Sequence, residues 1–407
     1  MNRKPFSKPE LLAPAGDLAR LKTAVDFGAD AVYIGGKEYS LRSRASNFSR
    51  EDILEGCAYA RAHGSHVHVT VNEIPHDRDL PGLESYLRFL EEAGVHAVIV
   101  ASPYIMKLAN RVSPNLEVHI STQCSLWNGA AINYLVKTTG AARAVLGREC
   151  TLDEVRRIKA ATDTDLEVFI HGGMCVNCSG RCTLSNRMTL RDANRGGCAQ
   201  SCRWNYDVYA GERRISREDT LFTMGSKDLC AVEWIASLME LGVASMKIEG
   251  RMKTEYYVAS IVSAYRHLID ELYEYGSLSD ERMTYHRREV LAAQNREVWG
   301  GNYNGRGGAE SIIYHANSDA DVSHSFLGTV ISYDGEAIVV ETRNPFAIGD
   351  MVEVMEPGKE NRMFQIEELR DEYGLSMDRS KVPMRMVQMK VPFAIGSGAL
   401  LRKGMER

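Results

Sequence analysis

A short β-branched run followed by a helical segment recurs eight times between residue 9 and about residue 275. The segments between the runs carry apolar residues at three- and four-residue spacing, which is typical of amphipathic helices. Eight strands alternating with helices over this length predict an α/β fold, a (β/α)8 barrel of the TIM type. The predicted strands are Glu10–Ala13, Ala31–Ile34, His66–Val71, Ala97–Ala101, Glu117–Ser121, Arg143–Leu146, Glu167–Ile170 and Ala244–Ile248.

A doubly wound open sheet is the alternative arrangement for this alternation. The first strand is not followed by a G-x-G-x-x-G sequence, which dinucleotide-binding sheets of that kind carry. Helix starts are marked by Asp17, Ser49 and Thr151, and Glu154 follows Thr151 at capping-box spacing. We therefore prefer the barrel, with helices that include Leu18–Phe27, Arg50–Ala62, Leu83–Ala93 and Leu152–Ala161.

The stretch from Glu167 to Trp204 interrupts the alternation after the seventh strand and is rich in cysteine. Its spacings are C-x2-C-x3-C and, fifteen residues later, C-x3-C. Iron–sulfur clusters and structural zinc both prefer thiolate ligands, so both kinds of site stay open on spacing alone. The order x2 then x3 is the reverse of the radical-SAM motif, which disfavours that class. The cysteines concerned are Cys175, Cys178, Cys182, Cys198 and Cys202, with Cys230 following in the segment SKDLC.

Disulfide bonds are not favoured by this sequence, and three further cysteines need no ligand role. The chain has nine cysteines, and its first residues do not resemble a signal peptide, so we expect reduced thiols in a cytoplasmic protein rather than disulfides. Cys57, Cys124 and Cys150 stand singly in apolar or helical contexts, where buried and inert thiols are expected.

Charged residues stand at or just past several strand ends, which a barrel brings together at its C-terminal face, where active sites lie. The candidates for catalytic roles are His171, Arg148, Glu149, Glu249 and Arg251. Asn72 and Ser102 occupy similar positions but fit caps or turns better. Two arginines at the barrel mouth could bind a pair of carboxylates bidentately, so the pattern suits a small dicarboxylate.

The barrel domain is expected to span 1–275, with the cysteine-rich insertion at 171–243. A glycine-rich and partly helical connection follows over 276–322, and alternating short runs predict a small C-terminal all-β barrel over 323–407. The net charge is −5, so a nucleic acid would need a local basic patch. The insertion offers Arg181, Arg187, Arg191, Arg195 and Arg203, which could equally pair with acids elsewhere.

Several long segments resemble the collagenase-like peptidase family of class U, number thirty-two. They are ELLAPAGD, ADAVYIGGKEYSLRSRASNFS, EVFIHGGMC with SGRC, NRGGCAQSCRW and SMKIEGRMKTEYYV. The chain lacks H-E-x-x-H, G-x-S-x-G and any other arrangement that would activate a nucleophile or a metal-bound water for proteolysis. The resemblance is strongest to the branch of oxygen-independent, prephenate-dependent tRNA uridine hydroxylases.

That resemblance implies a 4Fe–4S cluster with Cys175, Cys182, Cys198 and Cys230 as its metal ligands. Cys178 and Cys202 become neighbours, although quinone-type members of the family use the second cysteine of the C-x3-C. Lys227 and Asp228 are expected to face the cofactor, and His171 to donate or accept a proton near pH 7.

The implied reaction forms 5-hydroxyuridine at tRNA position 34 with prephenate as the hydroxyl source. Expected partners are tRNA and a shorter paralogous subunit, with no membrane. A peptidase, a hydroxylase of ribosomal RNA or of a quinone precursor, and a non-catalytic scaffold for a paralogue are the alternatives.

Overall fold

Seven parallel strands follow one another around a barrel in the first part of the chain. The computed structural model describes residues 6–41, 47–216, 222–294, 296–313 and 326–404. Each strand pairs in parallel with the next one in sequence. The strands are β1 (Glu10–Pro14), β2 (Ala31–Gly35), β3 (His66–Val71), β4 (Ala97–Val100), β5 (Glu117–Ile120), β6 (Arg143–Val145) and β7 (Asp165–Gly172).

The eighth barrel strand comes only after the cysteine-rich insertion. The insertion contributes a small hairpin of β8 (Tyr209–Ala210) and β9 (Arg213–Arg214), and then β10 (Asp228–Cys230). Strand β11 (Ser245–Ile248) pairs in parallel with both β1 and β7 and thereby closes the barrel. The predicted (β/α)8 barrel is confirmed.

Strand β10 was not predicted. It pairs antiparallel with the end of β7 and parallel with β12 (Val298–Trp299), so the sheet extends past the closed barrel. The sequence DLC is too short to carry a periodic strand pattern, because only backbone pairing with β7 makes it a strand.

Helices fill the connections between barrel strands, as amphipathic segments must if the outer face of the barrel is to be buried. Ser49 and Thr151 each form the expected capping box, with Asp52 and Glu154 respectively. The helices are α1 (Leu18–Asp26), α2 (Arg50–Ala62), α3 (Leu83–Glu92), α4 (Pro103–Val112), α5 (Gly129–Thr139), α6 (Leu152–Ala161), α7 (Leu184–Thr189), α8 (Ile235–Glu240), α9 (Glu255–Tyr275) and α10 (Asp280–Leu291). In the described part of the chain, none of these helices combines the length and apolarity that a membrane span requires.

The chain divides into two compact units, and the second contains the strands from residue 326 onward. Seven of these strands form one antiparallel sheet around a core that includes Val340, Val354 and Leu401. The predicted connection 276–322 and C-terminal domain 323–407 include residues 314–325 and 405–407, which lie outside the described residues. The strands are β13 (Phe326–Tyr333), β14 (Ala337–Thr342), β15 (Phe346–Ala347), β16 (Met351–Met355), β17 (Arg362–Gln365), β18 (Leu369–Arg370), β19 (Arg379–Ser380), β20 (Met386–Lys390) and β21 (Leu400–Lys403).

Candidate functional site

The insertion leaves the barrel at Gly172, the last residue of β7. Gly172 has a φ of +96°, and a Cβ there would lie 2.2 Å from the carbonyl oxygen of Glu249. Only glycine fits both the backbone angle and the close approach. The Glu249 amide donates to the His171 carbonyl at 2.9 Å, which fixes the start of the insertion beside the end of β11.

Four cysteines of the insertion lie near one another. Burial raises the pKa of the Cys202 thiol, Arg203 opposes the shift, and Cys175, Cys198 and Cys182 add to it. The three thiols are thus close enough to Cys202 to act on it electrostatically. The Asn177 side chain also donates to the Cys182 sulfur at 3.2 Å. Four soft sulfur donors from two separated segments are the ligand chemistry that a 4Fe–4S cluster requires.

Cys230, the predicted fourth ligand, lies in a different environment. It is buried on β10 opposite His171. Burial raises the pKa of its thiol, and hydrogen bonding with the Val232 backbone and the Tyr265 hydroxyl opposes that shift. The neighbours that act on Cys230 are thus those of a packed core position. Cys230 thus reaches the end of β7 from a segment separate from the other cysteines, and its place in the expected ligand set stays a prediction.

His171, which is expected to transfer a proton, lies at the end of β7. Its side chain is buried, and its Nδ1 lies 3.3 Å from the hydroxyl of Tyr265 on α9. Burial, assisted by the charge of Lys253, lowers the pKa of His171 to about 3. The neutral form of the ring is thereby favoured where it packs against the tyrosines of α9, and the proton-transfer role stays a prediction.

Arg148 and Glu249 meet at the barrel mouth, as predicted from their strand-end positions. Arg148 Nη2 lies 3.2 Å from Glu249 Oε2, and the Tyr33 hydroxyl donates to the same oxygen at 3.3 Å. The Arg148 guanidinium stacks on Phe169, 3.6 Å from the ring centre. The guanidinium is therefore committed to a carboxylate of the protein itself.

Glu149, another of the catalytic candidates, contacts the loop that carries the cysteines. Its Oε1 accepts the backbone N–H of Ser179 at 2.6 Å and the Ser179 hydroxyl at 3.1 Å. Gly180 follows at a φ of +77°, where a Cβ would lie 2.0 Å from the Gln123 carbonyl oxygen. Together these contacts fix the segment between Cys178 and Cys182 against the barrel.

Arg251 is buried and binds the loop after β2. Its Nη2 donates to Asn47 Oδ1 at 2.7 Å, and its Nη1 to Ser40 Oγ at 3.2 Å. A Cβ on Gly35 would lie 2.0 Å from this guanidinium, so the glycine makes room for it. Arg251 therefore organises the loop after β2, and the expected use of Arg148 and Arg251 as a carboxylate clamp does not follow from their contacts.

Lys227 and Asp228 precede Cys230, and the structure gives them separate partners. Lys227 Nζ pairs with Glu297 at 3.0 Å. Asp228 is buried between two cations, with Lys253 Nζ at 3.8 Å and Arg296 Nη1 at 3.6 Å. Lys253 and Arg296 were not predicted, although Lys253 stands only two residues beyond Arg251 in the segment EGRMK.

The arginines of the insertion divide into paired and exposed ones. Arg195 pairs with Glu73 and Asp79, both at 2.8 Å, and so ties the insertion to the loop after β3. Arg187 and Arg191 are exposed on and beside α7. A cleft of about 480 Å³ borders the insertion at Gly180 and Arg181, and its volume is within the usual range of small-molecule sites. Its lining includes Ile74, Gln123, Gly180, Arg181, Asn194 and Arg195.

A second cluster of potential ligands lies at the opposite end of the barrel. His68, His119 and Glu167 are fully buried, with ligand atoms within 4.8 Å of one another. Lys247 donates to Glu167 Oε1 at 2.7 Å, and Arg143 lies 3.5 Å from Oε2. Two cations already neutralise this carboxylate, so the cluster has the charge balance of a structural layer.

Comparison with known proteins agrees with the fold. Residues 16–313 match peptidase family U32, and residues 322–402 match the C-terminal domain of that family. The chain belongs to peptidase family U32.

Three relatives show the range of names within this family. The chain is 43% identical to tRNA hydroxylation protein P1 of Bacillus subtilis, over 98% of this chain and 95% of that protein. It is 41% identical to the 23S rRNA 5-hydroxycytidine C2501 synthase of Escherichia coli, over 65% of this chain and 40% of that protein. It is 30% identical to a protein named collagenase from Porphyromonas gingivalis, over 89% and 90% of the two chains.

Proposed function

We propose that this U32 protein hydroxylates RNA, and that its substrate is the wobble uridine of tRNA, which becomes 5-hydroxyuridine. The observation that carries the proposal is the cysteine-rich insertion after β7, in which Cys175, Cys182 and Cys198 act on Cys202, together with Cys230 on β10, which pairs with the end of β7. Similarity to a tRNA hydroxylation protein over nearly the whole chain supports RNA as the acceptor. No metal-dependent or nucleophilic protease motif competes with this assignment.

The proposed cofactor is a 4Fe–4S cluster, for which the donor set fits. Cys175, Cys182, Cys198 and Cys230 would hold it, with Cys202 as their neighbour and Asn177 donating to the sulfur of Cys182. Such a cluster supplies one-electron redox chemistry when bound. Hydrogen bonds to ligand sulfurs tune the potential of such centres, so the Asn177 contact would act on it.

The residues around the cysteines position the loop and the mouth. Glu149 fixes the loop through Ser179, and Arg195 fixes the far side of the insertion through Glu73 and Asp79. We propose that the exposed Arg187 and Arg191 contact RNA phosphates, which are the usual partners of such side chains. The cleft lined by Gly180, Arg181 and Asn194 would receive the flipped base.

Prephenate is the proposed source of the hydroxyl group. It carries two carboxylates, which must meet cations where they leave water. The mouth of the barrel supplies such cations close to Cys202. A shorter paralogous subunit remains a proposed partner, testable by copurification with the tagged protein.

Nucleoside mass spectrometry of bulk tRNA tests the function. A deletion strain should lose 5-hydroxyuridine and its derivatives, and the intact gene should restore them while Cys198→Ala should not. An unchanged profile in a strain that also lacks every paralogue would exclude tRNA as the acceptor. Ribosomal RNA and quinone precursors would then be examined in the same strain.

Peptide hydrolysis is the second candidate, because one relative carries the name collagenase. Purified protein incubated with gelatin should release no peptides. Release that persists in the Cys198→Ala variant and stops with a chelator or a thiol reagent would establish a peptidase instead.

A further inference from the structure

Three aromatic side chains of the insertion, Trp204, Tyr206 and Phe222, form one aromatic face. The ring centres of Trp204 and Tyr206, two positions apart in sequence, are 6.5 Å from each other. Phe222 lies opposite Tyr206 in an antiparallel bridge, where their backbone amides and carbonyls exchange hydrogen bonds of 2.7 Å and 3.0 Å. Residues that lie opposite each other in such a pair direct their side chains to the same face, so Phe222 joins the other two rings.

The aromatic face is fixed to the segment that carries the last two cysteines of the insertion. The Tyr206 hydroxyl donates to the carbonyl of Ser201 at 2.6 Å, and the Thr223 hydroxyl donates to the carbonyl of Cys202 at 3.4 Å. Ser201 and Thr223 are themselves buried. The rings are therefore held next to the C-x3-C sequence by direct contacts as well as by their position in the chain.

The outer rings of the aromatic face are open to solvent. Trp204 is 42% exposed and Phe222 is 43% exposed, whereas Tyr206 is half-buried. Large apolar side chains are mostly buried in folded proteins, and neighbouring ones that stay exposed mark a binding surface. Aromatic rings pack against other flat rings by stacking. The chemistry of this face therefore fits a ligand that carries a flat ring.

The insertion that carries the aromatic face is basic, although the chain as a whole is acidic. Residues 171–230 contain nine basic side chains and six acidic ones, whereas the net charge of the chain is −5. Arg213 is exposed on β9, within the segment that connects Tyr206 to Phe222, and Arg187 and Arg191 are exposed as well. Arginines bind phosphates, and exposed aromatic rings stack on bases. A nucleic acid strand with unpaired bases presents both groups, so it fits this surface.

We propose that Trp204, Tyr206 and Phe222 bind an unpaired base of the RNA substrate by stacking. This inference rests on the proposed function for the choice of RNA, whereas the stacking follows from the exposed rings and the basic segment around them. A base that stacks on this face lies beside the C-x3-C sequence, and it would hold its neighbours in the strand close to the cysteines. The exposed arginines would bind the phosphates that flank it.

Binding of labelled RNA to the protein reconstituted with iron and sulfide, followed by fluorescence anisotropy, tests the proposal. The probes are a single strand of roughly twelve nucleotides and a duplex of the same sequence. Trp204→Ala and Phe222→Ala should each raise the Kd for the single strand by about tenfold, as for the loss of one stacked base. The Kd for the duplex should not change, because its bases already stack on one another.

Two control variants separate stacking from a general loss of structure. Trp204→Phe keeps a flat ring and should retain most of the affinity that Trp204→Ala loses. Tyr134→Ala removes an aromatic side chain that is 68% exposed in the middle of α5, and it should leave both Kd values unchanged. Circular dichroism and the Tm report whether each variant keeps its fold.

The salt dependence of binding distinguishes stacking from contact with phosphates. The Kd of Trp204→Ala and of Phe222→Ala for the single strand should rise with salt as steeply as that of the parent protein, because neither change removes a phosphate contact. A shallower dependence in these variants would show that they have lost phosphate contacts, and it would overturn stacking as the mode of binding.

Three further results would overturn the proposal. The first is an unchanged Kd for the single strand in both alanine variants, and the second is an equal loss of affinity for single strand and duplex. The third is a parent protein that binds the single strand no more tightly than the duplex.

A protein surface is the other class of partner that exposed rings could contact. If Trp204→Ala binds RNA like the parent protein but no longer copurifies with a paralogous subunit, the aromatic face belongs to that interface and the proposal is overturned. Failure of the proposed function would appear separately, as an unchanged nucleoside profile in the strain that lacks every paralogue. The binding measurements do not depend on that profile.

Discussion

The two ends of the barrel bury charge in different ways. At the N-terminal end, Arg143 meets Glu10 at 2.6 Å and Lys247 meets Glu167 at 2.7 Å. At the C-terminal end, Arg148 and Glu249 are 3.2 Å apart, and the contacts of Asp228 reach 3.6 Å and 3.8 Å. Coulomb attraction weakens with distance, so the pairs at the N-terminal end hold their charges more tightly than the longer contacts of Asp228 do.

Strained backbone conformations are also found mainly at the C-terminal end of the barrel. Four of the described non-glycine residues at positive φ lie in segments that follow barrel strands at the C-terminal end, and one lies in the C-terminal unit. Such conformations persist where the surrounding structure over-determines them, often at functional sites. The residues are Tyr39, Ser125, Leu190, Gln200 and Met384.

The largest expected effect is at the cysteines of the C-terminal end. Cys230→Ala should abolish the absorbance at about 400 nm of protein reconstituted with iron and sulfide, because it removes one of the four proposed thiolate ligands. Cys202→Ala is the matched variant, and its absorbance should persist, since Cys202 is proposed as a neighbour of the ligands. The reverse result would put Cys202 in the ligand set in place of Cys230.

The next effect compares one lysine from each end. Lys247→Met should lower the free energy of unfolding by about 3–5 kcal/mol, because it leaves Glu167 fully buried without its hydrogen-bonded cation. Lys253→Met should change it by about 1 kcal/mol or less, because it also removes repulsion from Arg296. Urea unfolding followed by circular dichroism measures both, and equal losses would contradict the distinction.

Relieving backbone strain at the C-terminal end of the barrel should change the free energy of unfolding by a smaller amount. Leu190 has a φ of +57° and is 94% exposed, so it has an unfavourable backbone conformation and little packing to lose. Leu190→Gly should raise the free energy of unfolding by about 1 kcal/mol. Met188→Gly, within α7, should lower it by about the same amount, because glycine disfavours a helix. Destabilisation by both changes would argue against strain.

The smallest effect belongs to a pair outside both ends. The hydrogen bond from Arg282 lowers the pKa of Glu271 from its ordinary value of 4.5 to about 2. A lowered folded-state pKa means that this pair stabilises the fold above about pH 4.5 and loses its contribution as the pH falls toward 2. Glu271→Gln and Arg282→Gln should each flatten the unfolding profile in that window, by less than about 1 kcal/mol because the pair is partly exposed. An unaltered profile would show that the pair adds nothing.

The strands could be predicted from sequence because their signal is local. Runs such as His66–Val71 and Ala97–Val100 are continuous, apolar and β-branched, as strands covered on both faces must be. The helix caps at Ser49 and Thr151 could also be predicted from sequence, because each capping box joins residues that are only three positions apart. The sequence by itself therefore determined the barrel, the place of its insertion and the small β domain.

The tertiary structure alone decided the chemistry at the mouth. Spacing could not place Cys230, because its position depends on β10 pairing with the end of β7 and on the contact with Tyr265. Arg251 stands at a strand end like Arg148, yet its burial against Asn47 depends on a loop some two hundred residues away in sequence. Burial and the meeting of distant segments set the charge balance of a site, and neither property is encoded in local spacing.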